Sequence, residues 1–363
     1  MEGGRLLATG SSSCIFRPNI PCKNNGESVS KNKISKIVYG SKAEKYFDRE
    51  TQITETIKNI KGHKKWAIVY EHFCQPPTYE NIFEIDKDII NCKDKQYSDI
   101  FNDTSKMLVS KYGGETFEDY FINSTLINRK LKPIERNVYV LLTKMKYLFI
   151  GLKEMYLHRF IHLDIKINNI VLDGKYFKYI DFGLSGELKD YKHFEKRSLS
   201  EFDTKRIYLW YPLEYLYAFI DKSEKMEELF KLRQNKEYRK HHRKGIDIYD
   251  IFDLNINNHV EELLNNNHTY SEHDYHNMVS MIDTYSLGIL IPFLFVEYGL
   301  VKSIEKSAFL TDLFKLLKHM CKIDYKERLK PGDCLKQYNK LIRKYSHLNT
   351  SKGKKTKRKK YKI

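Results

Sequence analysis

The sequence predicts an α+β chain in two lobes, a small β-rich lobe carrying one helix and a larger, mainly helical lobe. Three observations predict it. Up to Tyr112, short β-like runs at Ile34–Tyr39, Trp66–Glu71 and Lys106–Tyr112 surround a single helical pattern from Ala43 to Ile60. From Phe117 onward apolar residues recur at helical spacing, over Asn137 to His158, Ser286 to Val301 and Ala308 to Cys321. Between these helical stretches lies one small hairpin, Ile170–Leu172 and Tyr176–Ile180, turned by Asp173-Gly174-Lys175.

These elements place a small lobe at 1–112, with a polar, acid-rich insertion at about 75–105. The large lobe follows at 113–348, with a Lys-, His- and Asn-rich insertion at about 221–280 (Asp221 to Ser280). Residues 349–363 form a basic tail, expected to be disordered because its charges repel and apolar residues are nearly absent. No internal repeat is visible. The apolar stretch Ser286–Val301 contains Pro292 and Glu297 and is short for a membrane span, so it reads as a buried core helix and no transmembrane segment is expected.

Of 363 residues, 41% are hydrophobic, enough for a real core, which excludes wholesale disorder. The net charge is +17, part of it in the tail from Ser351 to Ile363, which suits contact with nucleic acid or another anionic surface, or a solvated end. The cysteines, Cys14, Cys22, Cys74, Cys92, Cys321 and Cys334, form no C-x-x-C pair and have no histidines at zinc spacing. They are expected to be reduced thiols of an intracellular protein, cytoplasmic or nuclear. The first residues lack a signal-peptide apolar stretch, and Glu2 stands where myristoylation needs glycine.

The chemistry concentrates in His162-Leu-Asp-Ile-Lys-Ile-Asn-Asn169, the hairpin, and then Asp181-Phe-Gly183. Phosphoryl transfer needs positioned metal ions, neutralised charge and an oriented hydroxyl. In this loop Asp164 is placed to orient the hydroxyl, Lys166 to meet the transferring phosphate, and Asn169 to offer an amide oxygen to Mg²⁺. The hairpin returns the chain so that Asp181 supplies the second metal contact.

In these residues the chain resembles the eukaryotic-type Ser/Thr protein kinases, whose motifs H-R-D-L-K-x-x-N and D-F-G appear in order around a hairpin. The resemblance implies the two-lobed protein-kinase fold, ATP and Mg²⁺ (or Mn²⁺) as cofactors, and protein Ser/Thr hydroxyls as substrates. It spans about residues 5 to 345, less the insertions. Further landmarks follow in order. Ala8, Gly10 and Ser13 stand at the three places of the Gly-rich loop, with Ile15 after them; only Gly10 is a glycine, which puts ATP affinity in question. Lys36 resembles the strand lysine that meets the α- and β-phosphates, with Lys33 as rival, and Glu50 resembles the helix glutamate that orients it, in preference to Glu44. The segment Met107–Tyr112 resembles the adenine-binding hinge, with Ser110 as a small gatekeeper and Tyr112 beyond it. Tyr211-Pro-Leu-Glu214 resembles A-P-E, and Arg328 the late arginine whose fork holds that glutamate. Asp283, in Asp283-Thr-Tyr-Ser-Leu-Gly288, is expected to cap the catalytic-loop backbone.

The departures carry meaning too. Leu163 replaces the arginine of H-R-D, which implies activity without activation-loop phosphorylation, although Ser198, Ser200 and Thr204 remain as acceptors. Lys189, Lys192, Lys196, Arg197, Lys205 and Arg206 imply acidic or pre-phosphorylated protein substrates, or else a solvated loop. The degenerate glycine loop and the Lys/Asn/Ile/Tyr bias are similar to kinases of large nucleocytoplasmic DNA viruses, which implies a viral, virion-packaged setting. A pseudokinase scaffold and a small-molecule phosphotransferase of kinase-like fold stay open as alternatives. The sequence leaves the oligomeric state open.

Overall fold

The computed structural model describes residues 4–10, 13–23, 28–78, 100–126, 130–203, 208–216, 218–219, 227, 251–252 and 271–349. The N-terminal part is a five-stranded antiparallel sheet in the order β1-β2-β3-β5-β4, formed by Arg5–Thr9, Ser13–Arg17, Lys33–Val38, Lys106–Lys111 and His72–Cys74 as β1, β2, β3, β5 and β4. The register of β3 and β5 pairs Lys36 with Leu108 and Ile34 with Ser110. Because side chains alternate across a strand, these four share one face. The other face carries Ile37, Met107 and Val109, packed with Cys14, Phe16, Ile20, Ile100 and Phe101. Helix α1 (Ala43–Lys58) crosses the first face and buries Ile53 and Ile57 in the core of the helical part.

The run Trp66–Glu71, expected as a strand, is not one. Trp66 is fully buried against the helix spanning Lys146–Leu157, where a Cβ on Gly151 would come within 2.8 Å of the indole. The backbone on either side pairs with the hairpin instead, Tyr179 N–H donating to Trp66 O at 2.8 Å and Ile68 N–H to Tyr179 O at 3.0 Å. The sheet strand begins one residue later, at His72.

The cysteine expectation also fails. Cys22 and Cys74 form a disulfide across 52 residues, with Cα atoms 5.9 Å apart, and Cys14 is disulfide-bonded as well. The long sequence separation hides a proximity that the sheet creates, since β4 ends beside the chain leaving β2, where Lys23 N–H donates to Gln75 O at 3.0 Å. The cysteines therefore give no argument for a reducing compartment. Cys321 and Cys334 are free and buried, and burial pushes the Cys334 thiol up to about 12. Cys92 lies outside the described residues.

The C-terminal part is helical. Helix α2 (Phe117–Phe121) opens with a capping box between Thr116 and Asp119. The expected single helix over 137–158 is two, α3 (Leu131–Lys144) and α4 (Lys146–Leu157), joined at Met145. Next come β6 (Phe160–Ile161), the hairpin of β7 (Ile170–Asp173) and β8 (Tyr176–Tyr179), β9 (Gly186–Glu187), and helices α5 (Tyr191–Asp203) and α6 (Leu213–Leu216). Beyond them, α7 (Glu272–Ser280) is started by a second capping box, Ser271 with Asp274, and buries Met278 and Val279. Those residues belong to the core, so the stretch from Ser271 to Ser280, expected to close an insertion, is packed into the helical part; most of the expected insertion lies outside the described residues. Helix α8 (Ile282–Glu297) is buried on nearly every side. The stretch Glu272–Glu297 is long and apolar enough to cross a membrane by length and composition, yet 83% of its most apolar window is buried inside the fold. Helices α9 (Ala308–Met320) and α10 (Pro331–Lys344) complete the part, α9 approaching α8 closely at Gly288. The basic tail lies outside the described residues.

Candidate functional site

The site is built on a loop whose backbone is held from several directions. Asp283, in the first turn of α8, accepts from the N–H groups of His162 at 2.7 Å and Leu163 at 3.0 Å. Tyr211 donates its hydroxyl to Leu163 O at 2.6 Å, and Ser185 donates to His162 O at 2.9 Å. Leu163 is held at φ 61° and Asp181 at φ 58°, left-handed conformations that non-glycine residues rarely adopt. Both imposed geometries fall beside the candidate catalytic groups. Burial pushes the His162 imidazole down to about 4, so it is neutral. Burial also raises Asp283 to about 6, against the pull of the two N–H groups it accepts from.

Asp164 is 5% exposed. Its Oδ2 accepts from Asn169 Nδ2 at 2.7 Å and Lys166 Nζ at 2.8 Å. Its Oδ1 accepts from Tyr208 at 2.8 Å and Lys166 Nζ at 3.1 Å. Asn169 gives a second bond to Asp164 O at 3.0 Å, so its amide nitrogen faces the loop and its amide oxygen is left for another partner.

From the sheet, Lys36 Nζ reaches Glu50 Oε1 of α1 at 2.7 Å and Asp181 Oδ1 at 3.5 Å. The Lys36 and Glu50 side chains are 11% and 9% exposed, whereas that of Asp181 is 46% exposed and open to a ligand. Burial opposes the charge on Lys36, but Tyr70, Asp181 and Glu50 around it outweigh that cost and hold its pKa well above the usual lysine value. Lys36 in turn holds the Asp181 carboxyl below the usual carboxylate range, with Lys166 adding to the effect. The rivals point elsewhere: Lys33 meets Glu71 at 3.7 Å, and Glu44 meets Lys106 at 3.0 Å.

Ser110 lies on the Lys36 face of the sheet, buried. Tyr112 is less free than expected, because its N–H donates to Asn32 O at 2.8 Å and its ring lies under the Arg17 guanidinium at 3.5 Å. Its backbone N–H is thereby closed to a ligand. Ala8 and Ile15 face each other across β1 and β2, and Gly10 N–H donates to Ser13 O at 2.7 Å. A Cβ on Gly10 would meet Ser13 Oγ at 2.7 Å.

No family model matches the chain, and no curated protein matches it.

Several residues around the site carried no readable signal. Arg49, next to Glu50, donates to Ser185 O at 2.6 Å and to Gly183 O at 3.4 Å, tying α1 to the segment after Asp181. Tyr208 is one of 27 tyrosines, and nothing local in the sequence sets it apart; Tyr211 was noted only as the first residue of the A-P-E-like stretch, without its bond to the loop. Other expectations need correcting. Ser198 is fully buried and donates to Tyr215 O at 2.9 Å, so it is no accessible acceptor. Arg197 is turned inward, paired with Glu201 and donating to Tyr211 Oη at 3.1 Å. Lys192 and Lys196 are exposed, while Lys189 pairs with Glu187 at 2.7 Å. Thr204, Lys205 and Arg206 lie outside the described residues. Arg328 does meet Glu214, but through Nη2 alone; its other hydrogen bonds go to backbone carbonyls, including Lys322 O at 2.9 Å and Met281 O at 3.3 Å, and its guanidinium lies over the Tyr285 ring.

Chemically, the arrangement gathers hard oxygen donors (Asp181, Asn169), ammonium groups (Lys36, Lys166) and a carboxylate within reach of a hydroxyl (Asp164). No cluster of three or more His, Cys, Asp or Glu that could hold a metal alone occurs among the described residues.

Proposed function

We propose that this chain is a Ser/Thr protein kinase of two-lobed kinase fold, transferring the γ-phosphoryl group of Mg-ATP to protein hydroxyls. The observation that carries the reading is Lys36, bound to Glu50 at 2.7 Å and 3.5 Å from the exposed carboxylate of Asp181. That ammonium is oriented by Glu50 on one side and lies beside the carboxylate that would hold the metal on the other.

The donor set fits a magnesium nucleotide. Mg²⁺ takes oxygen ligands, one or two carboxylates, water and the phosphates themselves. Asp181 offers an exposed carboxylate, and Asn169 an amide oxygen left over after its nitrogen is used. A cluster of three acids is not needed when phosphates complete the shell. When bound, Mg-ATP supplies the phosphoryl group and the metal offsets its charge. Asp164 then receives the hydroxyl that is to react and takes its proton, while Lys166, 31% exposed, lies beside it to meet the phosphoryl oxygens. Lys36 holds the remaining phosphates. His162, neutral and buried, shapes the loop rather than moving protons.

Independence from activation-loop phosphorylation is part of the same reading. Leu163 is fully buried and offers no cation to a phosphate. Arg49 instead pins the segment after Asp181 by direct bonds to its carbonyls. Lys166 beside Asp164 favours Ser/Thr over Tyr acceptors.

The decisive experiment is radiolabel transfer from γ-labelled ATP with Mg²⁺ onto casein and a basic protein, with Asp164→Ala and Asp181→Ala alongside. Labelling of serine or threonine that both substitutions abolish supports the reading. Undiminished labelling in both variants, or none by the wild-type chain, overturns it. Phosphatase treatment beforehand is expected to leave most activity intact.

A further inference from the structure

A second surface lies away from the proposed phosphoryl-transfer residues and does not depend on that reading. Helices α9 and α10 pack side by side and leave between them an open cleft of about 1110 Å³, with α4 contributing Lys153. Its floor is aliphatic: Leu316 from α9, Leu335 and Leu341 from α10, and Leu329 from the connection between them. Its edges are basic. On α10, Lys336, Lys340 and Lys344 recur every four residues, about 6 Å apart along the helix axis. On α9, Lys315 and His319 repeat the same spacing.

The charge there is largely uncompensated. The cleft is lined by six Lys and Arg against two Asp, an excess of four positive charges with His319 neutral. One of the acids, Asp312, is already paired with Lys344 at 2.6 Å and closes one end. Lys315, Lys336, Lys340 and Arg343 are exposed and make no ion pair among the described residues. Holding four like charges around a leucine floor costs stability in the free chain through mutual repulsion, and an anionic partner would relieve it.

We propose that this cleft docks an acidic, amphipathic peptide segment of a partner protein. Two basic rails flanking an apolar floor match a helix with leucine-like residues on one face and acids along both borders of that face. The four-residue repeat of the rails equals the repeat at which a helix presents side chains on one side. The cleft also exceeds the usual volume of a small-molecule site. A single-stranded nucleic acid fits less well. Such ligands are held by aromatic side chains that stack on bases, and the lining has no Phe, Tyr or Trp.

The test uses the full chain and fluorescence anisotropy with a fluorescein-labelled peptide bearing Leu at i, i+3, i+4 and i+7 and Glu beside them. The expected result is saturable binding, weakened about tenfold by Lys336→Glu with Lys340→Glu, since each reversal turns an attraction into a repulsion. A control, Lys354→Glu with Lys355→Glu in the tail, changes net charge equally and is expected to weaken binding less than about twofold. A peptide of the same composition with its apolar face scrambled is expected to bind more weakly. Equal losses from both reversals, equal binding of the scrambled peptide, or tighter binding of a labelled oligothymidylate that requires Lys336 and Lys340 would each overturn the proposal. Circular dichroism of the variants excludes misfolding as the cause of a loss.

Discussion

At the scale of single residues, the acceptor count on Asp164 sets a condition on the proposed chemistry. A carboxylate offers about four acceptor positions, and here Lys166 takes two, Asn169 one and Tyr208 one. An incoming hydroxyl must displace a donor, and of the two neutral ones Asn169 is also held by Asp164 O, whereas Tyr208 reaches Asp164 through one bond. Tyr208→Phe is therefore expected to lower the KM for protein substrate several-fold at unchanged KM for ATP, read in steady-state kinetics; an increase in the protein KM would contradict this. Protonation gives a second expectation. His162 titrates near 4 in the fold, against 6.5 in the open chain, so the unfolded state takes the proton first. Its stabilisation is full above pH 6.5 and lost as pH falls toward 4. Asp283 titrates near 6 rather than 3.8, so the folded state takes its proton first, and its contribution is greatest below pH 3.8 and lost as pH rises through 6. Each is on the order of 3 kcal/mol, and they oppose one another. Removing one member exposes the other: His162→Gln should lose less stability than the wild type between pH 7 and 4.5, measured by urea unfolding at each pH. Asp164, Lys166, Asn169 and Asp181 were legible because their spacing is local. Arg49 and Tyr208 were not, since their roles arise only where distant segments meet.

At the scale of elements, α1 is fixed to its surroundings at two neighbouring residues. Glu50 binds the sheet through Lys36, and Arg49 binds the carbonyls of Gly183 and Ser185. The guanidinium serves two carbonyls at once, which an ammonium on a flexible stem does poorly. Arg49→Ala is expected to cut the proposed transfer about tenfold, a loss of about 1.4 kcal/mol in transition-state stabilisation, and Arg49→Lys to restore little of it. Full activity in either variant would remove Arg49 from the account. Helix α9 was legible, over Ala308 to Cys321, because its apolar residues recur at helical spacing, whereas α10 was not singled out. The strand over 66–71 was misread, because its apolar residues serve a contact with α4 and the hairpin that no local pattern records.

For the whole molecule, the outer face of the sheet is covered and stapled rather than left to solvent. Ile20, Ile100 and Phe101 lie over it, and the Cys22–Cys74 bond closes a loop of 52 residues. A cross-link of that span stabilises a fold by roughly 4 kcal/mol in the chain-entropy view. Dithiothreitol, or Cys22→Ser with Cys74→Ser, is therefore expected to lower the unfolding midpoint in guanidinium; an unchanged midpoint would show that the bond contributes little. Composition could not reveal this, because pairing depends on the order of strands in space and not along the chain. The division into a sheet-bearing first part and a helical second part was legible, since it follows from a change of hydrophobic period near Phe117.

The register of β3 against β5 has one further consequence. Lys36 faces the site, and Ser35 and Ile37 face away, only because of odd and even. Loss of a single residue from β3 ahead of Lys36 would exchange its faces, burying an ammonium among Phe16, Met107 and Val109 and presenting Ile37 to the candidate site. Loss of two would restore the parity. Insertions and deletions in this strand pair are thus tolerated by their evenness before their length, a constraint that no single side-chain replacement would uncover.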